Sequence, residues 1–339
     1  MIQVPTTTKK RILTGDRPTG PLHLGHLVGS LQNRVKLQDD YDCFFIIADY
    51  QALTDHLRET ELVEENTIEI VLDWLSVGLN PEKSTFFIQS RIPEIADLTM
   101  YFSMLVTLAR LQRNPTVKEE IKHSDIPHIS YGFLGYPVSQ AADILIVRAQ
   151  IVPVGEDQLP HIEQTREIAR TFNTLFGEVF PTPEGLVGNV PRLPGLDGQK
   201  MGKSANNAIF LKDSPTEIRS KINSAITDPQ RVKATDPGHP EICNIYQYYL
   251  AFNQEKVEEV EHSCRIGGIG CVMCKNNIAD RIIEYLSPIQ EKRVFYETRP
   301  SYYREALKDG IRITRREAKK TMERVREAMH YDYKTLLCS

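Results

Sequence analysis

His23-Leu24-Gly25-His26 stands where a short apolar run, Arg11–Thr14, feeds a helical pattern, LVGSLQNRVKLQ. Imidazole N–H donors at the start of a helix occupy a place that already favours anions. Gly25 lets the backbone come close to a flat or charged ligand. Taken alone, these four residues fit a turn with two surface histidines equally well. A second cationic group lies roughly 175 residues later, at Lys200-Met201-Gly202-Lys203-Ser204, after the glycine-rich run LPGLDGQ. Two lysines three apart beside a hydroxyl make a mobile clamp for phosphates. Alone, that stretch reads as an exposed basic loop.

Six cysteines add a third chemistry, at positions 43, 243, 264, 271, 274 and 338. Cys43 lies inside an apolar run and reads as core. Cys338 falls in the tail. Cys243, Cys264, Cys271 and Cys274 form C-x20-C-x6-C-x2-C, beside Gly267, Gly268 and Gly270, which permit tight turns. Four thiolates in a cytosolic chain point to a metal rather than to disulfides. Spacing alone leaves a four-thiolate zinc site and a [4Fe–4S] cluster both open.

The elements that must hold these groups change character along the chain. Arg11–Thr14, Asp42–Ala48, Thr85–Gln89 and Ile151–Val154 read as buried strands. Helical periods lie between them. The clearest runs from Leu62 to Leu79, with Ile68, Val71, Leu72, Leu75 and Leu79 on one face. Strands alternating with helices predict an α/β fold: a Rossmann-like parallel sheet covered on both sides, with ligands beyond the carboxyl ends of the strands. Ser214-Pro215-Thr216-Glu217 is a capping box with proline at the first helical position. After about residue 212 no convincing strand appears, and charged segments such as Arg315–Met329 read as helix. A boundary is expected near 190–215, where Pro191, Pro194, Gly195, Gly198 and Gly202 cluster. It separates a catalytic domain (1–212) from a helical domain (213–339).

The 339 residues suit two domains, and 41% hydrophobic with 25% charged content is ordinary for a globular chain. That excludes collagen-like, largely disordered and disulfide-scaffold classes. No apolar run reaches the ~18–20 residues of a membrane span. The first residues, MIQVPTTTKK, lack the apolar core of a signal peptide. A cytoplasmic protein without membrane contact is expected. The net charge of −4 divides unevenly, with +5 on residues 281–339 and −9 on the rest. A basic end on an acidic body fits a polyanion partner, and equally a solvated helix face.

HxGH followed by KMxKS resembles the signature of class I aminoacyl-tRNA synthetases. TGDRPTGPLHLGH, GYPVSQAADILI, VPVGEDQLPHIEQTREIARTFN and KMGKS occur in the order seen in bacterial tryptophanyl-tRNA synthetases, across about residues 10–330. The resemblance implies a homodimer that joins L-tryptophan to ATP and then to tRNA(Trp). It assigns the transferring phosphates to His23, His26, Lys200, Lys203 and Ser204. It gives the ATP ribose to Gly155 and Asp157, within Gly155-Glu156-Asp157. Arg17, Pro18, Thr19 and Gly25 would line the nucleotide, and Met201 and Leu193 would flank the adenine. Mg²⁺ would arrive with ATP, since it is commonly held through substrate phosphates. Asp143 would accept the indole N–H, a group that can only donate. Tyr136 and Gln158 would meet the ammonium and carboxylate ends, and Gln140 and Val154 would shape the pocket.

A subset of these synthetases carries C-x22-C-x6-C-x2-C in the helical, anticodon-binding domain. This chain matches the last two spacings and is two residues shorter in the first. The resemblance therefore implies a [4Fe–4S] cluster, with Zn²⁺ the alternative. Two further departures stand out. Gln51 replaces a frequent histidine, and Gly202 replaces a serine, which should loosen the lysine loop. The rival readings are a tyrosyl-tRNA synthetase, a non-charging paralogue and a nucleotidyltransferase that uses HxGH without this lysine loop.

Overall fold

Apolar runs without polar alternation have no face to offer water, so they stack as parallel strands between helices. In the computed structural model β1 (Arg11–Asp16), β2 (Asp42–Ile47), β3 (Ser84–Ile88), β4 (Ile151–Val154) and β5 (Glu184–Val187) form one sheet. The strand order is β3-β2-β1-β4-β5, and every pairing is parallel. The structure describes residues 9–123, 128–188, 193–203, 205–333 and 336. The four strands read from sequence are present. β5 was not foreseen: it is a four-residue edge strand whose side chains are mostly exposed, so it carries no apolar run.

Alternate strand residues divide between two cores, as a period of two requires. Ile12, Cys43, Phe45, Ile47 and Phe86 belong to one. Leu13, Phe44, Ile46 and Phe87 belong to the other. The first core is covered by the Val63–Val77 helix, which ends at Gly78 with φ 107°. It continues without a break into Ile218, Ile245, Ile278 and Leu286 of the helical region. The second core takes the Pro93–Ser103, Tyr131–Ile146 and Leu159–Phe176 helices.

Beyond residue 213 the described chain is helical: Pro215–Ser224, Asn244–Phe252, Val257–Arg265, Cys271–Glu297 and Pro300–Ala328. The expected capping box closes the first of these, with Pro215 in its first turn. The last helix folds back on edge strand β3. There a Cβ on Gly310 would lie 1.8 Å from the Phe86 carbonyl oxygen, so only glycine permits the approach. Among the described residues, no helix is long and apolar enough to cross a membrane.

Candidate active site

The strand order reverses at β1, between β2 and β4, and a crevice opens beyond the carboxyl ends of the strands there. It is a cleft of about 1150 Å³. Its lining includes Arg17, His26, Tyr136, Gln140, Asp143, Val154, Gly155, Asp157, Gln158 and Lys200, ten of the residues singled out from sequence.

Asp16, at the end of β1, organises the near end. Arg34 donates to both of its oxygens, at 2.6 and 3.2 Å, and the Trp74 indole N–H donates at 2.8 Å. Burial would raise this carboxyl, but the Arg34 guanidinium and the nearby His26 win and hold it down at about 2. None of this trio was foreseen, because a lone charged residue at the edge of an apolar run carries no local signal.

His23 precedes the short Leu24–His26 helix, and its backbone N–H donates to His26 Nδ1 at 3.2 Å. The His26 proton therefore sits on Nε2. The two rings lie 3.8 Å apart. Burial pushes His23 down to about 2, helped by the neighbouring His26 and Lys203 charges. Burial likewise lowers His26 to about 4, with Asp16 opposing. Both imidazoles are thus neutral near pH 7, and each offers an N–H without a charge. His26 faces the cleft. His23 is buried, and its Nδ1 has no hydrogen-bond partner.

The lysine loop reaches these histidines because the segment after it pairs with theirs. Leu24 N–H donates to Ile209 O at 2.9 Å, and Leu211 N–H donates to Leu22 O at 3.0 Å. His23 and Phe210 form an antiparallel bridge. Lys203 Nζ donates to Gly20 O at 2.6 Å. Burial lowers its ammonium to about 8, against the pull of Asp16 and Asp73. Lys200 is exposed and lies 3.7 Å from Asp157 Oδ2 across the cleft. Met201 is buried, with its sulfur 3.3 Å from the Gly25 N–H. Gly202 is less free than expected: its N–H donates to Asn207 Oδ1 at 3.0 Å, while Asn207 Nδ2 donates to Lys200 O and Asp197. Asn207 pins the loop, a role that no local pattern marks. Ser204 lies outside the described residues.

Other expected nucleotide residues are more dispersed. Arg17 is exposed and paired with Asp55 at 2.9 Å. Pro18 and Leu193 are buried, and Thr19 is half-buried. Gly155 follows β4, and a Cβ there would meet Asp157 Oδ1 at 2.7 Å. Glu156 is exposed and is absent from the cleft lining.

Asp143 closes the far end at 2% exposure. Gln89 Nε2 donates to both oxygens at 2.8 and 2.9 Å, and Gln51 Nε2 donates at 3.3 Å. Its hydrogen-bond donors are these two amides, with no lysine or arginine among the described side chains paired to it. Burial raises its pKa well above the usual carboxylate range, which the Gln89 hydrogen bonds oppose. Beside it, Tyr136 OH donates to Glu120 at 2.6 Å and lies 2.9 Å from His161 Nε2. Asn114 lies 3.3 Å from the other nitrogen of His161, and burial lowers that imidazole to about 4. Gln89, Glu120, Asn114 and His161 are additions that sequence reasoning missed.

The four cysteines gather in the helical region. Cys243 precedes the Asn244–Phe252 helix, Cys264 ends the Val257–Arg265 helix but one, and Cys271 and Cys274 open the Cys271–Glu297 helix. All four are free and half-buried. Cys274 lies close enough to the other three thiols for their charges to bear on it. Arg231 Nη1 is 3.9 Å from the sulfurs of both Cys264 and Cys271. A Cβ on Gly238 would stand 2.5 Å from Cys264 Sγ, so glycine keeps the corner open. Spacing points to a metal on these four thiols. Among the described residues no group of three or more His, Cys, Asp or Glu could hold a metal ion as arranged.

Comparison with known proteins follows this geometry. The family described as tRNA synthetases class I (W and Y) matches residues 6–287. A tryptophan–tRNA ligase of Chlamydia caviae is 48% identical over 335 residues, covering 96% of this chain and 97% of that protein. One of Thermotoga maritima is 47% identical over 326 residues, covering 94% and 99%. The crystal structure of tryptophanyl-tRNA synthetase from Campylobacter jejuni complexed with ADP and tryptophan superposes with a TM-score of 0.84. It is 32% identical and covers 94% of this chain and 99% of that one.

Proposed function

The chain belongs to the class I tRNA synthetases (W and Y), and on that footing we infer its cycle. It is an aminoacyl-tRNA synthetase, a tryptophan–tRNA ligase, that activates L-tryptophan with ATP and passes the product to tRNA(Trp). The observation that carries the site reading is the pairing of His23 with Phe210. It delivers the lysine loop onto the two imidazoles at one end of a cleft whose other end is Asp143.

In the first step the tryptophan carboxylate attacks the α-phosphorus. A carboxyl O–P bond forms, the bond to the β-phosphate bridge breaks, and pyrophosphate leaves. The nucleophile is ionised at pH 7, so the site needs positioning and charge stabilisation more than a base. Neutral His23 and His26 supply N–H donors, and Lys200 and Lys203 supply mobile positive charge. Ser204 adds a hydroxyl. Gly155 and Asp157 take the ribose, and Arg17, Pro18, Thr19, Gly25, Met201, Gly202 and Leu193 border the nucleotide. Mg²⁺ would come with the phosphates. In the second step a hydroxyl of the tRNA's terminal adenosine attacks the adenylate carbonyl, and AMP leaves.

Asp143 receives the indole N–H. Its two present partners are neutral amides, so no fixed cation competes with a donor substrate for its oxygens. Tyr136, Gln140, Gln158 and Val154 complete the amino-acid pocket. A phenol could also donate to Asp143, so the tyrosyl alternative is tested directly. Pyrophosphate exchange run with tryptophan and with tyrosine should respond to tryptophan alone.

We assign residues 1–212 to catalysis and 213–339 to the anticodon side of tRNA, in a cytoplasmic homodimer. Exposed Met100, Met104 and Leu108 support a subunit contact on the sheet-bearing half. Cys243, Cys264, Cys271 and Cys274 would hold a [4Fe–4S] cluster, or Zn²⁺. That group would clip the IGGIGCVMC loop, and the activation chemistry moves no electrons through it.

A further inference from the structure

One buried ion pair links the helical region to the nucleotide motifs. Arg293, in the Cys271–Glu297 helix, is 4% exposed and reaches Asp73, which is fully buried in the Val63–Val77 helix. Arg293 Nη1 donates to Asp73 Oδ1 at 2.5 Å, Nη2 to Glu69 at 2.8 Å and Nε to Glu297 at 2.9 Å. The other Asp73 oxygen accepts the backbone N–H of Leu22 at 2.8 Å. Leu22 is the residue before His23. We propose that Arg293 is a positioning residue for the activation step: through Asp73 it fixes the backbone from which His23 and His26 project. The proposal rests on the nucleotide reading of that motif.

Three further observations agree. Gln290, one turn earlier on the same helix, donates to Leu211 O at 3.0 Å and Asp213 O at 2.9 Å. Those carbonyls lie just past the lysine loop, so one helix holds the flanks of both motifs. Lys212 joins the cluster through Glu69 at 3.1 Å. The Asp73 charge also favours the protonated form of Lys203. An arginine fork alone spans Asp73, Glu69 and Glu297 at once, where lysine would reach fewer. A pair placed only for stability would not need its second carboxylate oxygen on the motif's own backbone.

The test is steady-state pyrophosphate exchange on the full chain, with ATP and tryptophan varied separately. Wild-type protein that shows no tryptophan-dependent exchange refutes the underlying reading, not this proposal. Given an active wild type, Arg293→Met should lower kcat by about 10²-fold, as a small misplacement at a reacting centre does, and raise the KM for ATP. The KM for tryptophan should stay within about twofold. Arg293→Lys, which keeps a charge beside Asp73 but not the fork, should recover only part of the loss. If Arg293→Met does not fold, Asp73→Asn decides, because it keeps an oxygen for Leu22 while removing the charge. It should show a smaller shift confined to the ATP parameters. Folded variants with kcat and ATP KM unchanged, or with the tryptophan KM raised as much as the ATP KM, overturn the proposal.

Discussion

Lys203 crosses from the second basic motif to donate to the carbonyl of Gly20, 2.6 Å away in the turn before the first. Residues 183 positions apart in sequence thereby share one hydrogen bond. Removing one such charge-stabilising donor typically costs about 2.7–4 kcal/mol of transition-state stabilisation. Lys203→Ala should cut the exchange rate about 10²–10³-fold and leave tryptophan binding nearly unchanged. Exchange at the wild-type rate would refute the role. The useful form is the ammonium, which titrates at about 8. So kcat/KM for ATP should fall as pH rises through that value, and the fall should vanish in Lys203→Ala.

The buried imidazoles make the fold acid-sensitive. His23, His26 and His161 are held at about 2, 4 and 4, below the 6.5 of an unfolded histidine. The unfolded chain therefore binds more protons than the native one as pH falls below 6.5, and stability declines. Each such histidine costs about 1.36 kcal/mol per pH unit until its native value is reached. Asp16, held at about 2, adds a loss only below its usual 3.8. Burial raises Asp73 to about 6 and lifts Asp143 likewise, so these two carboxyls oppose part of the loss. Urea midpoints should still fall, modestly, between about pH 6 and pH 4, and His161→Gln should flatten that slope. Midpoints level across the interval would contradict the burial assignment.

Asp143→Ala removes the only carboxylate that Gln89 Nε2 is shown to hold and leaves the indole N–H unpaired. A buried donor left without its partner costs roughly 1–3 kcal/mol. The kcat/KM for tryptophan should therefore fall about 10- to 100-fold, with the ATP KM unmoved. Equal losses for both substrates would point to general damage at the site.

Protein purified without oxygen should be brown and carry iron and sulfide together, in the ratio of a four-iron cluster. Cys271→Ser should lose both and loosen the neighbouring loop to proteolysis. A colourless protein with one zinc per chain would replace the cluster by the four-thiolate alternative.

Sequence disclosed the sheet-forming runs, the long amphipathic helix and both basic motifs because each carries its signal within a few residues. Leu62–Leu79 shows how well periodicity works: Val71, Leu72, Leu75 and Leu79 are all buried, and Gly78 stops the helix. β5 escaped because a short exposed edge has no pattern. The residues that organise the site escaped for a different reason. Gln89 serves Asp143 from 54 positions away, Trp74 serves Asp16 from 58, and Arg293 serves Asp73 from 220. Such partners are chosen by the packed fold, and one chain read alone holds no mark of them. The cysteines were the reverse case. Their spacing marked them locally as metal ligands, while among the described residues no group of three or more is arranged to hold an ion.

Gly310 lies flush against the backbone of Phe86, so the final long helix seals an outer strand made near the beginning. During synthesis that strand stays uncovered while most of the polypeptide is still being assembled. Its unpaired amides and aromatic residues are then open to other nascent chains. A larger side chain at position 310 would hold the lid off permanently. The expected result is insoluble protein in the cell rather than a slower enzyme.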